Sequence, residues 1–318
     1  MAVALLPQTD SQPALPAYFT WGMARDQGIS RGDLNKLLAN RLVRRVFKDV
    51  YVRSRVPDTL DSRLEAARLI LPPHAVVVDR TAAWIWGVDI LDHWELEFLP
   101  RLDVFVLRGN KRITRDRLGG GTRDLSSRDI VHVDGVTITT PLRTALDLGC
   151  GLRRYNALAA MDALAHEQGV TREDLEREVP RFRGRRGVVQ TRTLTPLVDG
   201  RTESPGESFA KLAIVESGLP LPEPQYWVEL DGVPIYRLDL AYPRLKICIE
   251  YDGEQYHSSD EDKEADQRRR RWLRDQGWYV VVVDKGSFNS AAREDWLAEL
   301  GRVFRERAST KSVRSRSR

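Results

Sequence analysis

Cysteine is scarce: Cys150 and Cys248 are the only two in 318 residues. They lie far apart, each among apolar neighbours, which excludes a disulfide framework and suits buried thiols in a reducing compartment. Histidine is nearly as rare, and His74, His93, His132 and His166 lack the close paired spacing of a zinc site, so each reads as a structural or surface residue. No eighteen apolar residues run together, and the opening MAVALLPQTD has no basic segment ahead of an apolar one. These absences predict a cytoplasmic protein with no membrane partner. A dominant charge sign is also missing, since 50 Lys and Arg face 46 Asp and Glu for a net charge of +4. The electrostatic information therefore lies in where the charges fall.

Enough apolar material is present to fold, with 42% hydrophobic residues and eight Trp, and the length predicts two or three domains. Three stretches are basic. Nine Lys or Arg stand against three Asp from Arg25 to Arg55, RFRGRRGVVQTR covers Arg181 to Arg192, and the chain closes on STKSVRSRSR. Each is a candidate phosphate-facing patch or a solvated face. The last, rich in Ser and Arg, reads as a disordered tail.

Residues 1–16 carry chain breakers and little periodicity, and read as a loose leader. FTWGMARDQG has helical spacing and stops at Gly28. Ser30 and Asp33 form a capping-box pattern opening a second helix, with Leu34, Leu37 and Leu38 on one face. LVRRVFKDVYV then alternates and turns at Lys48-Asp49, as a hairpin would. Helix, turn, helix and basic hairpin is the order of a winged helix, which would place Arg31, Lys36, Arg44, Arg45 and Lys48 against duplex DNA. This segment resembles the N-terminal module of AbiEi-type antitoxins, which leads into a hairpin ending Gly-X-Tyr. Here Asp49-Val50-Tyr51 stands in that place, without the glycine.

In the middle, HAVVVDRTAAWIWGVDIL reads as a buried strand leading into a helix. LEFLPRLDVFVLRG and DIVHVDGVTITT add strands, the latter turning at Asp134-Gly135. PLRTALDLGCGL and YNALAAMDALAHEQG read as helices, the second closed by Gly169. This arrangement, with Thr140-Pro141-Leu142-Arg143-Thr144, resembles the segment that follows the winged helix in the same antitoxin-like proteins. It contains no catalytic set.

The last third begins with a firm helix start, Ser204 as N-cap, Pro205 at the first position and Glu207 as the capping-box acid, ending at Gly218. QYWVEL and VPIYRLDLAY flank an Asp231-Gly232 turn, and LKICIEY is a third strand. A helix from Asp260 to Gln276, the strand WYVVVVD and a final helix complete the order α-β-β-β-α-β-α. Strand alternation puts Arg237, Asp239 and Ala241 on one side, opposite Tyr236, Leu238 and Leu240, and aligns Lys246, Cys248, Glu250 and Asp252 in the next strand. Carboxylates gathered there repel one another and resist desolvation. Either a hard divalent cation, Mg²⁺ or Mn²⁺, or salt bridges from Lys246 and Arg237 would compensate them. The run Arg268 to Arg271 would contact phosphates or pair with Asp260 to Asp266 one turn back.

ESPGES, RLDLAYP, CIEYDGEQYH and DQRRRRWLRDQGWYVVVVD resemble the DUF559 branch of the PD-(D/E)XK nucleases, related to very-short-patch-repair endonucleases. The resemblance covers Glu203 to about Phe304. It implies a metal-dependent phosphodiesterase core with Asp239 and Glu250 as metal ligands and Glu207 as an accessory acid. The superfamily's lysine after the second acid is absent, and Asp252 takes its place in an E-x-D-G form familiar in that branch. His257, of near-neutral pKa, is the first candidate for the general base, ahead of Lys246 or an Arg near Gln267. Arg268 and Arg269 would contact the nucleic acid.

The expected fold is a multidomain α+β and α/β chain. A winged helix spans 17–58, a mixed α/β antitoxin-like domain 59–198, a restriction-endonuclease-like α-β-β-β-α-β core 199–306 and a basic disordered tail 307–318. The expected function is a Mg²⁺- or Mn²⁺-dependent DNA endonuclease of repair or phage defence, with double-stranded DNA and a cognate toxin or defence protein as partners. The alternative is a non-catalytic DNA-binding regulator of antitoxin type that keeps the nuclease fold as a scaffold.

Overall fold

The computed structural model describes residues 15–72, 74–90, 102–107, 109, 118–119, 121–253 and 260–316. It is a mixed α/β chain with three sheets among the described residues, in two compact units, Met1–Thr144 and Ala145–Arg318.

The first unit opens with β1 (Tyr18–Thr20), α1 (Trp21–Asp26), α2 (Arg31–Ala39), β2 (Val43–Phe47) and β3 (Val50–Arg53). Thr20 caps α1 by accepting from Met23 N, and Ser30 caps α2 by accepting from Asp33 N. Each satisfies a donor that the helix itself leaves unpaired. The strands form a sheet in the order β1-β3-β2. Phe19 and Thr20, expected at the start of a helix, are instead strand residues. Phe19 is fully buried and its ring stacks on Tyr51 at 5.5 Å, so burial in the sheet outweighs local helical spacing. Leu34, Leu37 and Leu38 turn the apolar face of α2 onto this core. Asp49, in the place of the antitoxin glycine, has φ +74°, a left-handed turn conformation that Asp tolerates better than most residues.

The unit continues through α3 (Leu60–Arg68), β4 (Ala75–Val77), α4 (Asp79–Ile85), β5 (Leu102–Leu107), β6 (Leu118–Gly119), β7 (Thr122–Arg123), β8 (Ile130–Val133) and β9 (Val136–Thr139). Their sheet has the order β6-β5-β4-β9-β8, with β7 also on β5. Asp134 and Gly135 both take positive φ between β8 and β9, as a tight hairpin requires. The division between units falls within α5 (Pro141–Gly151).

The second unit contains α6 (Arg154–Gln168), α7 (Arg172–Glu178), α8 (Val188–Leu194) and α9 (Pro205–Glu216). There follow β10 (Glu223–Leu230), β11 (Val233–Tyr242), β12 (Ile247–Asp252), α10 (Asp260–Asp275), β13 (Tyr279–Asp284) and α11 (Ser290–Arg316). From α9 onward this is the expected element order. The sheet runs β10-β11-β12-β13, antiparallel except for the last pair, which α10 connects as a crossover. On one face Leu240, Tyr242, Ile247 and Ile249 pack with Ala210 and Ile214 of α9 and Trp296 and Leu300 of α11. On the other, Leu238, Ala241 and Cys248 pack with Leu273 of α10 and Trp278.

One expectation about the strand faces is corrected. Leu238 and Leu240, expected on the same side, lie in opposite cores. Between the ladder pairs Pro224–Leu240 and Tyr226–Leu238, Gln225 has φ +52°, and this kink breaks the alternation at Asp239. The helix α11 is described as far as Arg316, and Arg307 within it donates to the carbonyls of Leu245, Lys246 and Gly277. The compact second unit starts at Ala145.

Candidate functional site

The residues singled out from the sequence fall into two groups of side chains. The first is on α2 and the β2–β3 hairpin. Arg31, Lys36, Arg45 and Lys48 are exposed and Arg44 is half-buried. Arg31 lies over the Trp21 ring at 4.6 Å, Lys36 is 3.4 Å from Asp33, and Arg44 is 4.0 Å from Asp58. Such solvent-exposed pairs contribute little and are readily exchanged for phosphates. The capped helix and the short turn at Asp49 thus present these cations with little to hold them back.

The second group lies where β11 kinks beside β12. Ser204 fixes the start of α9, and Pro205 occupies the first position, where its missing N–H costs nothing. Glu207 in the first turn is buried. Its carboxylate accepts from Glu203 N at 3.1 Å, Ser204 Oγ at 2.8 Å and Gln225 Nε2 at 2.9 Å. These bonds account for most of its bonding capacity, although the reciprocal capping-box bond expected at the Ser204 amide is made by the Glu203 amide instead. Asp239 Oδ2 accepts the Tyr251 amide at 2.9 Å. Burial, aided by the neighbouring Glu207 and Glu250 and opposed by the Tyr251 bond and Arg269, pushes its carboxyl up to about 6.

Glu250 is buried and pairs with Arg269 Nη2 at 2.7 Å. Burial pushes its carboxyl up as well, opposed chiefly by Arg269 and Arg270. Asp252 is exposed and pairs with Arg270 at 3.2 Å. The structure thus brings Glu207, Asp239 and Glu250 into one electrostatic neighbourhood, with Asp252 at its edge. His257 lies outside the described residues.

The compensating cations are not the ones expected. Lys246 donates to the Gln276 carbonyl and Arg237 pairs with Glu203 at 2.7 Å. Arg269 and Arg270 of α10 take the carboxylates instead, because one turn of a crossover helix passes directly over the β12 face. Arg269, expected to contact nucleic acid, is committed to Glu250 and to the Arg237 carbonyl, and among the described residues its buried Nε has no partner. Arg268 is exposed, 3.4 Å from Glu264. Sequence reasoning missed Gln225 and Arg270. The arginine run signalled the latter, but nothing local marks Gln225.

Among the described residues no three His, Cys, Asp or Glu side chains are gathered as ligands of one ion. The donor chemistry nonetheless suits a hard cation: oxygen ligands only, and a carboxyl at Asp239 whose charge is disfavoured by its two acidic neighbours. The same strain has a consequence for stability. An unfolded Asp239 releases its proton near 3.8 and the folded one near 6, so the native state holds the extra proton between those values and loses stability as pH rises through them. Asp239→Asn, which keeps an acceptor for the Tyr251 amide, is expected to stabilise the protein at pH 7.5 by about 2 kcal/mol, after allowing for partial exposure. The gain shrinks toward pH 4. Urea unfolding at both pH values checks this, and a variant no more stable than the parent at pH 7.5 contradicts it.

Comparison with known proteins identifies relatives. Residues 74–197 match the family model of the AbiEi antitoxin C-terminal domain, so the chain carries an AbiEi antitoxin-like domain. Two proteins of Mycobacterium tuberculosis, Uncharacterized protein MT2308 of strain CDC 1551 / Oshkosh and Uncharacterized protein Rv2248 of strain ATCC 25618 / H37Rv, are each 32% identical to it over 255 residues. The similarity covers 80% of this chain and 90% of each relative. No described helix is long and apolar enough to cross a membrane.

Proposed function

This chain belongs to one family with the two mycobacterial proteins, and we propose from its AbiEi antitoxin-like domain that it is a DNA-binding component of a toxin–antitoxin system. The observation that carries the reading is the antitoxin-domain match at 74–197, with a capped helix pair and a hairpin bearing exposed cations earlier in the chain. In this reading α2 enters the major groove, and Arg45 and Lys48 on the hairpin touch the backbone. A cognate toxin is the implied protein partner. The combined variant Lys36→Ala, Arg45→Ala, Lys48→Ala removes exposed charges without touching the core. It is expected to weaken duplex binding about tenfold or more at moderate salt, with the unfolding midpoint unchanged. Equal affinity for parent and variant in a filter-binding or anisotropy assay overturns this assignment.

A second reading has its own support. The order α-β-β-β-α-β with Glu207, Asp239 and Glu250 drawn together, and the unsatisfied Arg269 Nε beside them, suits a metal-dependent endonuclease of the PD-(D/E)XK type. Asp239 and Glu250 would hold Mg²⁺ or Mn²⁺, an ion that when bound polarises a phosphate oxygen and acidifies a water. Arg269 would leave Glu250 for a phosphate oxygen, which its fork geometry fits. Plasmid nicking by purified protein with Mn²⁺ or Mg²⁺, abolished in Asp239→Ala and Glu250→Gln, is the expected result. A parent that nicks no faster than either variant leaves the arginine-neutralised carboxylates as scaffold.

A further inference from the structure

Beside the carboxylates, the second unit contains an open groove of about 800 Å³. Four aromatic side chains stand among its lining: Tyr226 and Trp227 on β10, Trp272 on α10, and Trp278. Trp227 is 49% exposed, an unusual position for a tryptophan, with the Arg237 guanidinium 5.9 Å from its ring centroid. Trp272 is edge-on to Tyr236 at 5.2 Å and Trp278 tilted against Tyr226 at 6.0 Å.

The charges of the groove cancel. Arg201, Arg237 and Lys246 face Glu203, Glu223 and Glu229, and the pairs Arg237–Glu203 and Arg201–Glu223 are formed. A polyanionic backbone gains nothing by entering such a place. A flat, uncharged, hydrogen-bonding group gains stacking area and a choice of donors and acceptors.

The groove also leads to the carboxylates. Gln225 lines it and donates to Glu207. Trp272 of α10 lines it, with Gln276 just past the helix end, and one turn before Trp272 on the same helix face stand Arg268 and Arg269, the latter on Glu250. A strand whose phosphates follow these arginines would have its bases directed toward Trp227.

We propose that this groove receives unpaired bases of a single-stranded nucleic-acid segment, with Trp227 as the exposed stacking face. The inference deepens the endonuclease reading, on which it rests, by naming a substrate with locally unpaired bases. Single-strand binding is measured with the full chain and a labelled oligothymidylate, in parallel with a duplex, for the parent, Trp227→Ala and Trp227→Phe. Trp227→Ala is expected to bind the oligothymidylate about tenfold more weakly or worse, and Trp227→Phe to keep most of the affinity. Both are expected to leave the duplex isotherm and the unfolding midpoint unchanged. A parent that does not bind the oligothymidylate, a Trp227→Ala variant that binds as the parent does, or a loss equal on single strand and duplex overturns the proposal. The nicking assay separates the two readings. Trp227-dependent binding without any nicking upholds the groove and removes the endonuclease, whereas nicking unaffected by Trp227→Ala removes the groove alone.

Discussion

Lys211→Met is expected to cost about 3–5 kcal/mol of folding free energy, measured by urea unfolding. Lys211 and Asp162 are both buried, 2.8 Å apart, joining α9 to α6. Lys211 also donates to Thr202 Oγ1 at 3.0 Å, and Asp162 accepts from Ser208 Oγ at 2.7 Å and the Asp199 amide at 2.9 Å. Methionine fills the space of the lysine stem but leaves a carboxylate in the core without its cation. Most of the cost is that stranded charge rather than the lost attraction. Adding Asp162→Asn keeps an acceptor for the Asp199 amide, turns an NH2 donor toward the Ser208 hydroxyl, which can accept, and removes the charge, so the double variant is expected to recover at least half the loss. A single variant as stable as the parent, or a double variant worse than the single, contradicts this account.

Gly206→Ala is expected to destabilise the protein by about 3 kcal/mol, the upper range for overpacking. A Cβ at Gly206 would lie 2.2 Å from the Tyr251 ring. That ring is tilted against Phe288 at 6.1 Å, and the Tyr251 amide is the donor to Asp239. Relief of the clash thus moves either α9 with Glu207 or β12 with Glu250, and the carboxylate neighbourhood opens in both cases. Gly253→Ala is the control, since its Cβ would meet Tyr251 only at 3.6 Å, and a change within about 0.5 kcal/mol is expected there. Equal unfolding midpoints for Gly206→Ala and the parent would show that the close approach of α9 to β12 is not a constraint.

What the sequence discloses and what it conceals follow one division. Features set by neighbours in the chain are legible. The caps at Ser30 and Ser204 and the turns at Asp134-Gly135 and Asp231-Gly232 each depend on residues within a few positions, and the structure contains all of them. The element order of the C-terminal part follows from those punctuation marks.

Features set across the fold are not legible. The side reversal at Asp239 originates in the φ of Gln225, fourteen residues away and on another strand. The counter-ions of Glu250 and Asp252 come from α10, and which arginines of a four-residue run face the sheet depends on the helix's phase over β12. The Asp162–Lys211 pair and the bond from Arg154 to Glu216 join residues on the two sides of the expected boundary near 198, a coupling between distant positions that no local pattern announces. Asp239 and Glu250 were marked by an energetic oddity, acids in apolar strands, and that oddity persists in the structure as a carboxyl pushed up to about 6.

The reading of the chain as a DNA-binding component is tested most directly by the salt dependence of its affinity for duplex DNA. With five candidate contacts, Arg31, Lys36, Arg44, Arg45 and Lys48, the logarithm of the association constant is expected to fall linearly with the logarithm of salt concentration. A slope between about −3 and −5 is predicted. Absence of duplex binding at low salt, or an affinity that does not change with salt, would contradict the account.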